Sequence, residues 1–251
     1  MSEGRLAAEN YRGVLVPRTL GIWLAFAAVV SAGAIALTGR PAPVSRPGWG
    51  ALGASLLVFA AGLVDDLAPP GPRGLRDHLG ALASGRVSTG IVKVVVIVAA
   101  AVVSIALQPG RSGWIRLAGV VLVAACANVW NGLDVRPGRA IKFGLVAFLG
   151  LNGVDLALVP TIPGVLFGSL VALWFDLDER AMLGDGGANL LGFTVGLGAY
   201  LVLPGWGVMI AAAVAVSINA IAETVTLSRV IEANPALRWF DALGRRDDVQ
   251  A

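Results

Sequence analysis

Asp65 and Asp66 close an apolar run that extends from Gly50 to Val64, and carboxylates in that position have few uses. A charge at the centre of a bilayer costs about 2.5–3.5 kcal/mol on insertion scales, so an acidic pair ending such a run belongs at a membrane edge. There it is either a solvated helix end or part of a cation site. Repetition favours the cation site. Asp134 and Asp185 also sit at the ends of apolar runs, with Asp178 and Glu179 close by. Three acidic clusters sharing one membrane face suggest a metal site.

Other polar groups fall beside these carboxylates. Lys93 lies about one turn inside the run 88–108. It reads either as a snorkelling lysine or as a phosphate contact next to the acidic pair. Asn128, Asn131 and Asp134 recur at i, i+3 and i+6 and are expected to line one helical face. Such groups need partners in hydrocarbon, from a neighbouring helix or from a ligand. The ligand is favoured because the stripe runs into Arg136, Arg139 and Lys142, and three cations beside Asp134 suit a nucleotide or pyrophosphate. The turn Gly184-Asp185-Gly186-Gly187 leads into an apolar helix. Its backbone N–H groups favour anions while its carboxylate can hold a cation.

The elements that must position these residues are membrane helices. The 251 residues are 57% hydrophobic and 14% charged, against about 25% charged in soluble domains. Runs at 19–38, 49–65, 88–108, 114–133, 140–157, 160–176, 187–203 and 206–226 approach the length of about 20 residues that a span needs. The expected fold is therefore all-α, a polytopic bundle of about eight transmembrane helices forming one domain over 1–226. A cytoplasmic amphipathic tail follows at 227–251. Eight spans place both termini on one side, together with 15 of the 19 Lys and Arg; only Arg40, Arg46, Arg111 and Arg116 fall opposite. That bias makes the termini and all three acidic clusters cytoplasmic. Among the acidic residues only Asp155 lies opposite.

Several classes are excluded on composition. Cys126 is the single cysteine and His78 the single histidine, so neither a disulfide framework nor a multi-histidine zinc site is available. The basic balance follows from topology and from contact with anionic lipid or phosphate, and is not a nucleic-acid signal. The first run is longer than a signal-peptide core and reads as a retained span. Leu75–Leu82 is expected to form a short interfacial helix, and Leu, Trp and Phe alternate with Arg in the tail as in a helix that lies on a membrane surface.

Four pieces taken in order resemble the polyprenyl-phosphate N-acetylhexosamine-1-phosphate transferase superfamily, which includes the phospho-N-acetylmuramoyl-pentapeptide translocases. They are Asp65-Asp66 closing a span, Lys93 downstream, the Asn128, Asn131, Asp134 stripe, and the turn Gly184-Asp185 with Gly187. The resemblance covers about 12–226. It implies transfer of a sugar-1-phosphate from a UDP-sugar to undecaprenyl phosphate at the cytoplasmic face of the cell membrane, giving a sugar-diphospho-polyprenol and UMP. It also implies Mg2+, or Mn2+ in its place, on Asp185, Asp65 and Asp66, with Asp65 or Asp66 as base or nucleophile. Lys93, Arg136, Arg139 and Lys142 would contact phosphate, and Asn128, Asn131 and Asp134 would stand at the nucleotide or metal periphery. Partners would be the polyprenyl phosphate lipid and the nucleotide sugar, with a homodimer in the membrane left open. The chain departs from the family pattern at Pro137, where a second Asp is usual, and after the last span, where Arg229 is present without a histidine. Those departures motivate the alternative of a catalytically silent paralogue that binds polyprenyl phosphate or a partner enzyme of the cell envelope.

Overall fold

A computed structural model of the chain describes residues 6–38, 44–68, 80, 84–85 and 87–246. The expected helix at Leu75–Leu82 lies, apart from Gly80, outside the described residues, as do His78, Arg73, Arg76 and Arg86. The fold is helical, with α1 (Leu20–Leu37), α2 (Arg46–Leu67), α3 (Thr89–Leu107), α4 (Gly113–Leu133), α5 (Arg139–Leu149), α6 (Thr161–Leu177), α7 (Gly184–Val202) and α8 (Gly205–Thr224). Among the described residues two short helices follow, α9 (Leu227–Ala233) and α10 (Pro235–Ala242).

Five of these helices, α1, α2, α3, α4 and α8, are long and apolar enough to cross a membrane. At about 1.5 Å per residue the 22 residues of α2 reach about 33 Å, the thickness of a hydrocarbon core. Their outward faces carry exposed Phe26, Val30, Leu57, Val95, Val103, Met209 and Ile210. A surface of that kind suits lipid. Serine side chains accept N–H groups at the starts of α2 and α3, Ser45 from Gly48 at 3.1 Å and Ser88 from Ile91 at 3.4 Å.

α7 is the hub. It packs against α1, α2 and α4, and 15 of its residues are buried. Because protein covers it, it need not be apolar enough to meet lipid, and it tolerates Asp185, Asn189 and its glycines. Two of its neighbours approach closely where they lack side chains. A Cβ on Gly62 of α2 would lie 2.6 Å from the Asp185 carbonyl oxygen, and one on Gly21 of α1 would lie 2.6 Å from the Gly187 nitrogen. The first turn of α7 is thus wedged between α1 and α2, whose glycines leave the space.

The run 140–157 differs from a regular span. Helix α5 stops at Leu149 after 11 residues, and turns carry the chain through Gly150 and Gly153, which has φ 91°, to Pro160. The stretch is exposed at Asn152, Gly153 and Asp155 and returns to the bundle at buried Ala157, Val159 and Pro160. Leu151 fills the space beside Gly198, and the Ala157 carbonyl accepts the Ser45 hydroxyl at 2.7 Å.

The all-helical expectation holds, with one short addition before α1. Residues read from sequence as a plain basic lead-in form an antiparallel hairpin of β1 (Ala7–Glu9) and β2 (Leu15–Pro17). The Asn10 side chain accepts the N–H groups of Arg12 at 2.9 Å and Val14 at 3.0 Å, an Asx-type turn, and Gly13 takes φ 73°. The hairpin is tied to the segment before α7, where Met182 donates its N–H to the Pro17 carbonyl at 2.9 Å.

Candidate functional site

The ends of α2, α4, α6 and the starts of α1, α3 and α7 meet at one end of the bundle. Asp65 and Asp66 stand in the last turn of α2, and because adjacent helical residues point about 100° apart they meet different neighbours. Asp66 is buried. It accepts the Arg18 guanidinium at 3.0 Å on Oδ1, and the N–H groups of Asp185 and Gly186, each at 3.1 Å, on Oδ1 and Oδ2. A carboxylate from α2 therefore caps the positive end of α7. The N–H groups read from sequence as favouring an anion hold an internal one.

Asp65 instead faces Lys93, which reaches it from the second turn of α3. Lys93 Nζ donates to Asp65 Oδ2 at 2.6 Å and also to Asp185 Oδ2. Three helices thus bring two carboxylates and one buried ammonium to a single point. Asp185 is held there by the α7 turn, whose Gly184 has φ 66° and whose absent Cβ would lie 2.7 Å from Asp66 Oδ2. Only a residue without a side chain fits that corner.

Beside this point opens a cavity of about 310 Å³ lined by Arg18, Asp134, Arg136, Asp176, Glu179 and Asp185, with Tyr11 of the hairpin among its walls. Its character is acidic. The Asp134 carboxyl is raised well above the usual carboxylate range by burial and by the charges of Asp176, Asp185 and Asp66, with Arg18 opposing. Glu179, at φ 55°, accepts Asn10 Nδ2 at 2.7 Å and pairs with Arg12 at 3.2 Å, which pins the hairpin over the cavity. The Arg136 guanidinium lies 4.8 Å from the Tyr11 ring centroid and pairs with Glu232 at 3.3 Å.

Other expected site residues are engaged elsewhere. The stripe on α4 splits, because i and i+6 drift 120° apart. Asn128 donates to Asn219 of α8, Asn131 keeps a buried carbonyl oxygen without a partner, and Asp134 alone reaches the cavity. Arg139 and Lys142, expected on phosphate, are turned to the C-terminal tail. Arg139 is fully buried, with Nε 2.9 Å and Nη2 2.8 Å from the two Asp241 oxygens and Nη1 2.7 Å from Ser228. Lys142 donates to the last carbonyls of the α10 turn, Phe240 at 3.2 Å and Leu243 at 3.0 Å, along with that of Asp241. Cations at a helix C-terminus are stabilising.

Three residues of the site were not singled out from sequence. Asp176 is buried and accepts the Gly138 N–H at 2.8 Å, which fixes the turn between α4 and α5 behind Asp134. It ends the run 160–176 much as Asp65 ends its own, so the same signal was available. Arg18 was counted only as a positive-inside residue. Asn189, one turn beyond Asp185 in the buried hub, has both side-chain amide atoms without partners.

A divalent cation is a chemical fit at the point held by Lys93. Asp65 and Asp185 are hard donors that converge there, and the ammonium marks the position as cationic. Among the described residues no three such side chains gather into a ready-made cage. Mg2+ commonly takes one or two carboxylates and completes its shell with water and substrate phosphate. Asp66, whose two oxygens accept Arg18, Asp185 and Gly186, turns away from Lys93. No protein-family model and no curated relative matches the chain.

Proposed function

We propose that the chain transfers a sugar-1-phosphate from a UDP-sugar to undecaprenyl phosphate, at the cytoplasmic face of the cell membrane. The observation that carries this reading is the convergence of Asp65 and Asp185 on one cationic point beside a polar cavity, at the end of a bundle bearing five apolar spanning-length helices. A site at that end of the bundle would be within reach of both a lipid headgroup and a soluble nucleotide. Bulk topology supports the face, since the carboxylates lie on the side rich in Lys and Arg. An eight-span count, with α5 and its following turns as one crossing, fits the same arrangement.

Phosphoryl transfer depends mostly on positioning and neutralisation of charge. The attacking oxygen of the lipid phosphate forms a bond to the phosphorus that bears the sugar, and the bond from that phosphorus to the bridging oxygen breaks. UMP leaves with the electron pair. A phosphate monoester with second pKa about 6 is mostly dianionic near neutrality, so attack needs little help from a base. Asp65 and Asp185 would hold Mg2+, whose chemistry is to neutralise the diphosphate. Arg18 and Asp66 fix the α7 turn on which Asp185 stands. Asp66 is then a positioning residue, and any nucleophilic or basic carboxylate is Asp65.

One observation favours the silent-paralogue reading: Arg139 and Lys142, two of the cations expected on phosphate, are committed to the tail. UMP release by the purified chain with undecaprenyl phosphate, Mg2+ and a panel of UDP-sugars separates the two. Release that requires lipid and metal and is lost in Asp65→Asn and Asp185→Asn supports the transferase. Binding of undecaprenyl phosphate without release from any donor supports the silent paralogue.

A further inference from the structure

Lys93 is more than a neighbour of the two carboxylates. Its ammonium occupies the point on which they converge, and its side chain is buried there with Asp65 at 2.6 Å on one side and Asp185 on the other. The two carboxylates come from α2 and α7, which are locked together by Asp66 and by the close approach at Gly62. Their spacing is therefore set independently of Lys93. The lysine is the movable member, a compact point charge on a flexible four-carbon stem.

An ammonium and a divalent cation require the same oxygens, and two like charges do not share such a space at low dielectric. For a cation to enter, the ammonium must leave. A nearby anion would then be needed to receive it, since an unpaired buried charge is costly. A diphosphate supplies that anion. Its oxygens complete the shell of a cation held by two carboxylates, and a lysine one stem-length away can turn onto them.

We propose that Lys93 is the resident counter-ion of Asp65 and Asp185 and that it couples the entry of a divalent cation to that of a diphosphate. Free cation is kept out by the ammonium. Cation and nucleoside diphosphate enter together, and Lys93 passes from carboxylate to phosphate. The inference rests on the transferase reading for its ligand class, but it concerns occupancy and can be read without turnover.

The test is equilibrium binding of Mn2+, followed by its electron paramagnetic resonance signal, to the full chain in detergent micelles with and without UDP. In the wild type, UDP tightens Mn2+ binding by about tenfold or more, within the usual range for coupled sites. In Lys93→Gln, Mn2+ alone binds about tenfold or more tighter than to the wild type, and the further gain from UDP is largely lost. Wild-type binding of Mn2+ that is equally tight without UDP overturns the proposal, and so does a UDP effect of the same size in Lys93→Gln. Should Lys93→Gln fail to fold, the wild-type pair of measurements still decides, and Lys93→Arg adds a second test. Its planar, larger cation cannot pass between the same partners unchanged, so the UDP effect should shrink while fold is kept. A coupled Mn2+ and UDP response without UMP release from any donor would keep this inference and remove the transferase reading. Lipid-dependent UMP release with uncoupled binding would do the reverse.

Discussion

The side chain of Asp66 accepts the backbone N–H of Asp185 at 3.1 Å, so one member of an adjacent acidic pair holds in place a carboxylate 119 positions along the chain. Its other contacts, to Gly186 and Arg18, leave neither oxygen free. Asp65, one residue earlier, makes none of these contacts and faces Lys93.

The two aspartates should therefore fail differently when changed. Asp66→Ala removes a helix cap and leaves Arg18 without its partner, which should cost about 2–4 kcal/mol. Asp65→Asn keeps the shape and weakens the contacts to Lys93 and Thr89 without leaving Lys93 unpaired, so its loss should be smaller, about 1 kcal/mol. Thermal unfolding in detergent compares them directly. Equal melting temperatures would contradict the separation of roles, whereas loss of turnover is expected in both.

Gly62 provides a test of the hub that leaves every charged group intact. A methyl group there would stand 2.6 Å from the Asp185 carbonyl, against backbone that cannot swing aside. Gly62→Ala should push the first turn of α7 away from α2, cost about 1–3 kcal/mol as overpacking does, and weaken Mn2+ binding. Gly53→Ala on the same helix meets open space and should be neutral or slightly stabilising. If the two variants behave alike, the close approach is not what positions Asp185.

How far the site was legible depended on what each residue's role required. That Asp65, Asp66, Asp134 and Asp185 belong at helix ends follows from the cost of charge in hydrocarbon, and each lies at the end or start of a helix here. Which of Asp65 and Asp66 faces which neighbour was not legible, since adjacent residues on one helix differ only in direction and packing chooses between them. The partner of Arg139 lies 102 positions away in the tail, beyond any local pattern. The three-residue strands of the hairpin are too short to show alternation. The run 140–157 counted among the spans although short and interrupted by Asn152, and the helix itself ends sooner, at Leu149, before Gly150 and Gly153.

Lys142 separates the expected phosphate contact from the observed anchoring of the tail. Were it a phosphate ligand, Lys142→Met would raise the KM for the nucleotide sugar. Its donors are spent on the carbonyls of Phe240, Asp241 and Leu243, so the expected result is an unchanged KM. The lost helix-end contacts should instead make the tail more open to proteolysis, read as faster cleavage after α8.

Acidification should release the same tail. Burial raises the Asp241 carboxyl, but hydrogen bonding and charge from Arg139 and the charge of Arg245 outweigh it and hold the group below the ordinary carboxylate range. A depressed acid binds fewer protons folded than unfolded, so stability rises with pH through this group. Its contribution is complete above the unfolded value of about 3.9 and is lost as pH falls through the lower folded one. Limited proteolysis of the wild type should thus show a tail protected at neutral pH and cleaved progressively faster below about pH 4. Asp241→Asn, which leaves the buried Arg139 uncompensated, should be cleaved rapidly at every pH, because breaking such a pair costs about 3–5 kcal/mol. A pH-dependent release that persists in Asp241→Asn would place the titrating group elsewhere.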